Sequence, residues 1–221
     1  MSYNSSGMSQ PNYLRDIMSS WHSVVMFGLL GLVLALIVSF VQPLRYSSTA
    51  RLLILQDVGS SVDAYTASRA EERIADNLST LLYTSTFFDQ VMNAGFDIDQ
   101  TIFPDDDSKA RKVWGNMVNA TVARGSGLLS VTAYHRDVDQ AEQIVRAIAL
   151  VLTEHVDEYT SGGSVSVRLV DEPLNSRWPV KPNILVNILS GFILGGFVGI
   201  GFVMLQTQRI RRRHQLVHEE F

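Results

Sequence analysis

The sequence predicts a small extracytoplasmic α+β domain, a sheet with helices packed on it, flanked by two transmembrane helices. Three observations carry that expectation. Two long runs without a charge, 24–41 and 184–205, stand toward the two ends of a 221-residue chain. Between them, residues 42–183 alternate between segments of period two and segments of helical period. Glycine- and proline-bearing breaks separate those segments, as turns do between short elements.

A hydrocarbon core is crossed by roughly 20 apolar residues of helix, so both charge-free runs are long enough to span. A cleaved leader is the alternative for the first run. Its apolar stretch exceeds the usual ~7–15 residues, and no small-residue cleavage site follows it. Orientation comes from the flanks. Arg209, Arg211, Arg212 and Arg213 follow the second run within one or two turns and act as a cytoplasmic anchor. Two spans then place both termini in the cytoplasm and residues 42–183 outside. The expected order is a cytoplasmic N-terminal tail 1–23, helix 24–41, the extracytoplasmic domain 42–183, helix 184–205 and a basic tail 206–221. The location is a cell (inner) membrane.

The exterior segment holds 13 Lys and Arg against 19 Asp and Glu. A mildly acidic surface excludes nucleic acid as its partner, because phosphate binding needs a basic one. Cysteine is absent, which removes disulfides and thiol chemistry together.

Residues 13–22 carry Leu14, Ile17, Met18 and Trp21 at helical spacing and predict an interfacial helix ahead of the first span. Beyond Pro43, "RYSSTARLLILQD" alternates and reads as a strand of about ten residues. From Thr66, Ala70, Ile74, Leu78, Leu81 and Leu82 form an apolar stripe opposite Glu71, Glu72 and Asp76, which predicts an amphipathic helix. "STFFDQVMNAG" predicts a short helix with Ser85 as N-cap and Gly95 as its stop. Residues 108–117 predict another.

"VNATVAR" and "LLSVTAYH" alternate on either side of Gly125-Ser126-Gly127, a link whose glycines permit the positive φ of a hairpin. Asp137 and Gln140 have the spacing of a capping box for the helix "VDQAEQIVRAIALVLTEHVDEY". Thr160 to Ser164 breaks that helix, and "SVSVRLVDEP" alternates as a last strand ending before Pro173.

Then comes "NSRWPVKPN". Trp178 suits the headgroup level, where an amphipathic ring is favoured. Pro179 and Pro182 fix φ and bias their predecessors toward extended backbone, so the segment is expected to be a stiff, polyproline-like strut coupling domain to span. In the second run Gly191, Gly195 and Gly199 make two overlapping GxxxG spacings, widened by Gly196 and Gly201. Gly28, Gly31, Ala35 and Ser39 form an answering ridge in the first run. The spacing leaves open whether the glycine face meets its own chain or a neighbouring copy.

In this order, the N-terminal span, the "YSSTARLLI" strand, the "LLSVTAYHRDVDQAEQIVRAIALVLTEHV" strand and helix, the proline-rich lead-in and the glycine-rich span resemble the chain-length determinant (Wzz-type) family, the polysaccharide co-polymerases. The likeness covers residues 13–205. It implies a non-catalytic membrane scaffold, a homo-oligomeric ring, that sets the polymerisation of an exported glycan such as O-antigen, capsule or exopolysaccharide. Its implied partners are itself, a glycan polymerase and flippase, and the lipid-linked polysaccharide. Larger members raise a long helical protrusion where this chain has a bare turn near Tyr159. Kinase-fused members carry a phosphate-binding loop beyond the second span. The resemblance therefore also implies either a short, Gram-positive-style adaptor whose tail, "RIRRRHQLVHEEF", activates a separate cytoplasmic tyrosine kinase, or a reduced Gram-negative member. A sensor subunit is a third class, for which the sequence offers no ligand pocket.

No catalytic, cofactor-binding or metal-binding residue is expected. His22, His135, His155, His214 and His218 lack ligand spacing. Asp105-Asp106-Asp107 contains a DxD but reads as a solvated loop or a helix N-terminus. No Lys-Ser or Lys-Thr follows a glycine-rich loop, so nucleotide hydrolysis is not supported.

Overall fold

The computed structural model describes residues 20–57, 63–160 and 165–218, with side chains described as far as residue 209. Pro43–Pro182 forms one compact unit, and the flanking segments from both ends of the chain form a second. Each is described by itself.

The Pro43–Pro182 unit is built on β1 (Tyr46–Gln56), β2 (Val118–Val122), β3 (Leu128–His135) and β4 (Val165–Asn175). They make one antiparallel sheet in the order β2-β3-β1-β4. Period-two alternation sends every second residue to one face. Ala50, Leu52 and Ile54 of β1 and Leu129, Val131 and Ala133 of β3 are fully buried there, with Ala50 opposite Val131 and Leu52 opposite Leu129. Thr49, Arg51, Ser130 and Thr132 point the other way and keep contact with solvent.

The helices cover the buried face. They are α2 (Ala64–Leu81), α3 (Ser85–Met92), α4 (Asp107–Met117), α5 (Val138–Glu154) and the single turn α6 (Val156–Tyr159); α1 (Trp21–Val41) belongs to the other unit. The stripe of α5, Ala141, Ile144, Val145, Ile148 and Leu152, is fully buried in the same core as the sheet residues. From α2, Ala75 and Leu78 join it. Short polar side chains cap the helix starts by accepting from free backbone N–H groups. Asp63 accepts from Thr66 N, and Asp106 from Lys109 N. Asp106 and Asp107 are thus the start of α4, as expected of the acidic run.

Several boundaries differ from expectation. The N-cap of α3 is Thr84, which accepts from Phe87 N, not Ser85, which already has helical backbone. That helix ends at Met92 with Asn93 as C-cap, and Gly95 follows at φ +82°. The long predicted helix is divided at His155 into α5 and α6. Asp137 does cap α5, accepting from Asp139 N, but Gln140 completes no capping box. It reaches outward instead, accepting from Asp99 N and donating to Asp97 O, and so pins a distant loop to the helix start.

The hairpin link is longer than three residues, running from Ala123 to Gly127. Gly125 adopts φ +71°, a conformation glycine takes freely, whereas Gly127 serves close approach. A Cβ on Gly127 would lie 2.3 Å from the Ile54 carbonyl oxygen. Finally, β4 does not stop before Pro173 but continues to Asn175. It is an edge strand, and the register with β1 shifts between Thr49 and Leu52, so a proline without an N–H costs the ladder little there. Of the break predicted at Thr160 to Ser164, residues 161–164 lie outside the described residues, as do residues 13–19 of the interfacial helix.

Ser48 is the one polar group buried among the inward residues of β1. It is 0% exposed and its Oγ has no hydrogen-bond partner among the described residues. An unpaired buried hydroxyl costs about 1–3 kcal/mol. Ser48→Ala is therefore expected to stabilise the unit by about 1 kcal/mol. Thermal unfolding of the full-length chain in detergent checks it, and a lowered midpoint would show that the hydroxyl is satisfied.

The second unit contains α1 (Trp21–Val41) and α7 (Ile184–His218). The apolar helices Trp21–Val41 and Ile184–Arg209 are each long and apolar enough to cross a membrane. Both begin or end beyond the predicted limits, α1 three residues earlier and α7 well past Leu205.

Candidate functional site

The first and last segments of the Pro43–Pro182 unit are joined to each other. Arg45 N donates to Lys181 O at 3.0 Å, and Val180 N donates to Arg45 O at 2.8 Å, forming an antiparallel bridge just outside the sheet. Two further bonds extend it: Ser176 N donates to Ser47 O, and Ser47 N donates to Ser176 Oγ. The segment expected to be a stiff, polyproline-like strut is held by pairing with the start of the domain. Pro179 and Pro182 flank the bridge, and the Lys181–Pro182 peptide is cis. Proline supplies no N–H, so the donors come from Val180 and Arg45.

Side chains reinforce this neck. The Lys181 ammonium lies 3.6 Å from the centroid of the Tyr134 ring at the end of β3, within cation–π range. Arg45 Nη1 donates to Asn116 O, a carbonyl in the last turn of α4, where a cation suits the helix dipole. Burial first, then the charge of Arg45, pulls the Lys181 ammonium below the ordinary lysine range. Trp178 is 79% exposed and, among the described residues, engages no neighbouring ring.

Higher in the unit, a cleft of about 810 Å³ beside α2 is lined by Arg69, Glu72, Arg73, Asp76 and Tyr159 among others. Arg69 is paired with Glu72. Among the described residues, no three His, Cys, Asp or Glu side chains are grouped so as to hold a metal ion.

In the second unit the small residues of α1 and α7 face each other in antiparallel order. A Cβ on Gly191 would lie 2.4 Å from Ala35 Cβ and 2.6 Å from Gly31 O. On Gly195 it would lie 2.3 Å from Phe27 O and 3.1 Å from Gly28 Cα, and on Gly199 2.9 Å from Val24 Cα. On Gly31 it would meet Gly191 O at 2.3 Å, whereas on Gly28 its nearest neighbour would be the Phe192 ring, at 2.9 Å. Where α1 ends and α7 begins, Asn187 Nδ2 donates to Ser39 Oγ at 2.8 Å, and toward the opposite end of the pair Phe27 lies against Phe202 with ring centroids 5.1 Å apart. Absence of side chains lets the backbones approach to van der Waals range, which drives helix association where lipid gives no hydrophobic gradient.

Gly196 and Gly201 do not take part. Neither has a heavy atom within 4 Å of its Cβ position, so the face in contact with α1 is narrower than the sequence suggested. Gly196 follows Gly195 by about 100° of helix rotation, which turns it away. Of the expected cytoplasmic anchor, Arg209 lies on α7, and the side chains of Arg211, Arg212 and Arg213 fall outside the described residues.

Sequence reasoning missed the Arg45–Lys181 bridge. A backbone pairing between residues so far apart leaves no periodic signal, although the cation at each end of the domain was visible.

No curated protein is similar enough to the chain to count as a match. Residues 129–208, which run from β3 through α5, β4 and the neck into α7, match the family described as the G-rich domain on putative tyrosine kinase (GNVR).

Proposed function

We propose that this chain is a non-catalytic membrane scaffold that regulates the polymerisation and export of a cell-surface polysaccharide. Both termini are cytoplasmic and residues 42–183 lie outside the cell membrane. The observation that carries the reading is the continuity of the G-rich match across the last strand, the neck and the glycine-faced helix. One similarity thus covers two of the four strands, the helix between them, the apolar helix and the segment joining domain to helix. The neck bridge and the close helix pair are what a scaffold needs, since each makes its own unit rigid without a catalytic group.

In this reading several copies assemble around the polymerase and the lipid-linked glycan, and the scaffold sets how long the polymer grows. Deleting the gene in a strain that makes the polymer is expected to change the glycan length distribution on a gel. Complementation by the full chain is expected to restore it. An unchanged distribution would overturn the proposal.

A second reading is favoured by the words of the family description, which associate the domain with a putative tyrosine kinase. Here the chain is an adaptor and its basic tail activates a separate cytoplasmic kinase. Removing residues 209–221 would then abolish phosphorylation of the co-expressed kinase while leaving membrane assembly intact. Persistence of phosphorylation sinks this reading and leaves the first untouched.

A further inference from the structure

The neck gathers two cations in an acidic unit and leaves them without a counter-charge. Arg45 and Lys181 are brought side by side by their backbone bridge. The ion pairs among the described residues, Arg51–Asp171, Arg69–Glu72 and Arg146–Glu142, all lie elsewhere. No described carboxylate comes within 4.0 Å of either cation, although the exterior segment has more acids than bases. Both heads are anchored, Lys181 over the Tyr134 ring and Arg45 on the Asn116 carbonyl. A fixed pair of like charges is a poor arrangement for stability and a good one for an anion.

Next to this pair in sequence stand exposed apolar residues: Leu44 is 55%, Val180 41% and Trp178 79% exposed. Water alone gives three such side chains no reason to lie open beside the two cations, whereas an interface with lipid does, and tryptophan is the residue such interfaces favour. Chain reach points the same way. Arg45 lies four residues after the end of α1 and Lys181 three residues before the start of α7. At no more than ~3.6 Å per residue, each stays within about 15 Å of an apolar helix end.

We propose that Leu44, Arg45, Trp178, Val180 and Lys181 form a docking surface for the phosphate headgroup of an anionic membrane lipid. Arg45 and Lys181 share the phosphate, while Leu44, Trp178 and Val180 lie among the glycerol and upper acyl carbons. A free phosphate ion would have no use for the apolar fringe. A neutral sugar would have none for two unpaired cations. The proposal rests on α1 and α7 spanning a membrane, and not on the effect of the chain on glycan length.

The test uses the full-length chain purified in detergent, with Arg209, Arg211, Arg212 and Arg213 replaced by Gln in every sample so that the tail cannot contribute. The protein is equilibrated with equimolar phosphatidylglycerol and phosphatidylcholine, and the lipids that remain bound are counted by native mass spectrometry. Juxtamembrane cations each favour an anionic surface enough to predict a roughly tenfold enrichment of phosphatidylglycerol. Arg45→Gln with Lys181→Gln is expected to abolish it, and Trp178→Ala to weaken it, while circular dichroism shows each variant folded at the temperature of the binding experiment. No enrichment in the parent, or enrichment that survives the double substitution, overturns the proposal. So does millimolar inorganic phosphate displacing the lipid completely, which would make the site one for the free ion. A null result in the glycan-length experiment with enrichment intact would remove the scaffold reading alone.

Discussion

Replacing Gly195 by Leu is expected to slow disulfide formation between cysteines placed at Ser39 and Asn187 by about tenfold or more, while Gly196→Leu leaves the rate within about twofold. The chain has no cysteine of its own, so the pair reports without background. Ser39 and Asn187 are hydrogen-bonded to each other, which puts the two thiols in reach. At Gly195 even a Cβ would meet the Phe27 carbonyl oxygen at 2.3 Å, and backbone cannot swing aside as a flexible side chain can. The helices must separate, and overpacking of this kind costs about 1–3 kcal/mol. A factor of ten is about 1.4 kcal/mol, so the loss of close approach is measurable. At Gly196 a Cβ meets nothing within 4 Å, and the added leucine extends into open space. Adjacent glycines with opposite outcomes separate a specific contact from the general tolerance of membrane helices for glycine. Equal rates in the two variants would refute the contact.

That contrast also marks the limit of what could be read in advance. The spacing of Gly191, Gly195 and Gly199 reveals a smooth ridge because helical geometry repeats every 3.6 residues. It does not fix which side of the ridge the neighbouring helix takes, and so Gly196 was grouped with residues that it turns away from. The same holds in the domain. The apolar stripe of α5 was legible because Ile144, Val145, Ile148 and Leu152 recur at helical spacing, and β1 and β3 because their apolar residues alternate. Features that depend on residues far apart were not legible. Gln140 has the right distance from Asp137 for a capping box, but Asp97 and Asp99 offer it better partners once the loop folds back. Pro173 ends a strand on local grounds, and an edge position with a register shift removes the reason. The neck is the clearest case. Trp178, Pro179 and Pro182 stand out in local composition, yet what holds them is Arg45, more than 130 residues earlier in the chain.

Trp114→Ala is expected to destabilise the Pro43–Pro182 unit by about 3–5 kcal/mol, lowering its unfolding midpoint by roughly 10 °C or more. Trp114 lies on α4 and is fully buried. Its ring meets Phe88 of α3 edge-on with centroids 5.3 Å apart, and Phe103 of the following connection at 6.4 Å. Its Nε1 donates to the carbonyl of Leu82, the C-cap of α2, at 2.7 Å. One side chain therefore joins the end of α2, α3, the connection and α4, elements that share no backbone ladder. Two different losses follow from removing it, and a second variant tells them apart. Trp114→Phe keeps much of the apolar volume but leaves the Leu82 carbonyl without this donor, for about 1–3 kcal/mol. Trp114→Ala adds the cavity. Circular dichroism melts of the full-length chain in detergent should rank wild type above Trp114→Phe and Trp114→Phe above Trp114→Ala. Coincident midpoints for wild type and Trp114→Phe would show that the hydrogen bond contributes nothing. Because α4 also supplies the Asn116 carbonyl that holds Arg45, Trp114→Ala should weaken lipid retention at the neck even below its unfolding midpoint. Trp114→Phe should leave that retention near the parent's, since a helix seated by most of the same ring surface still presents its last turn.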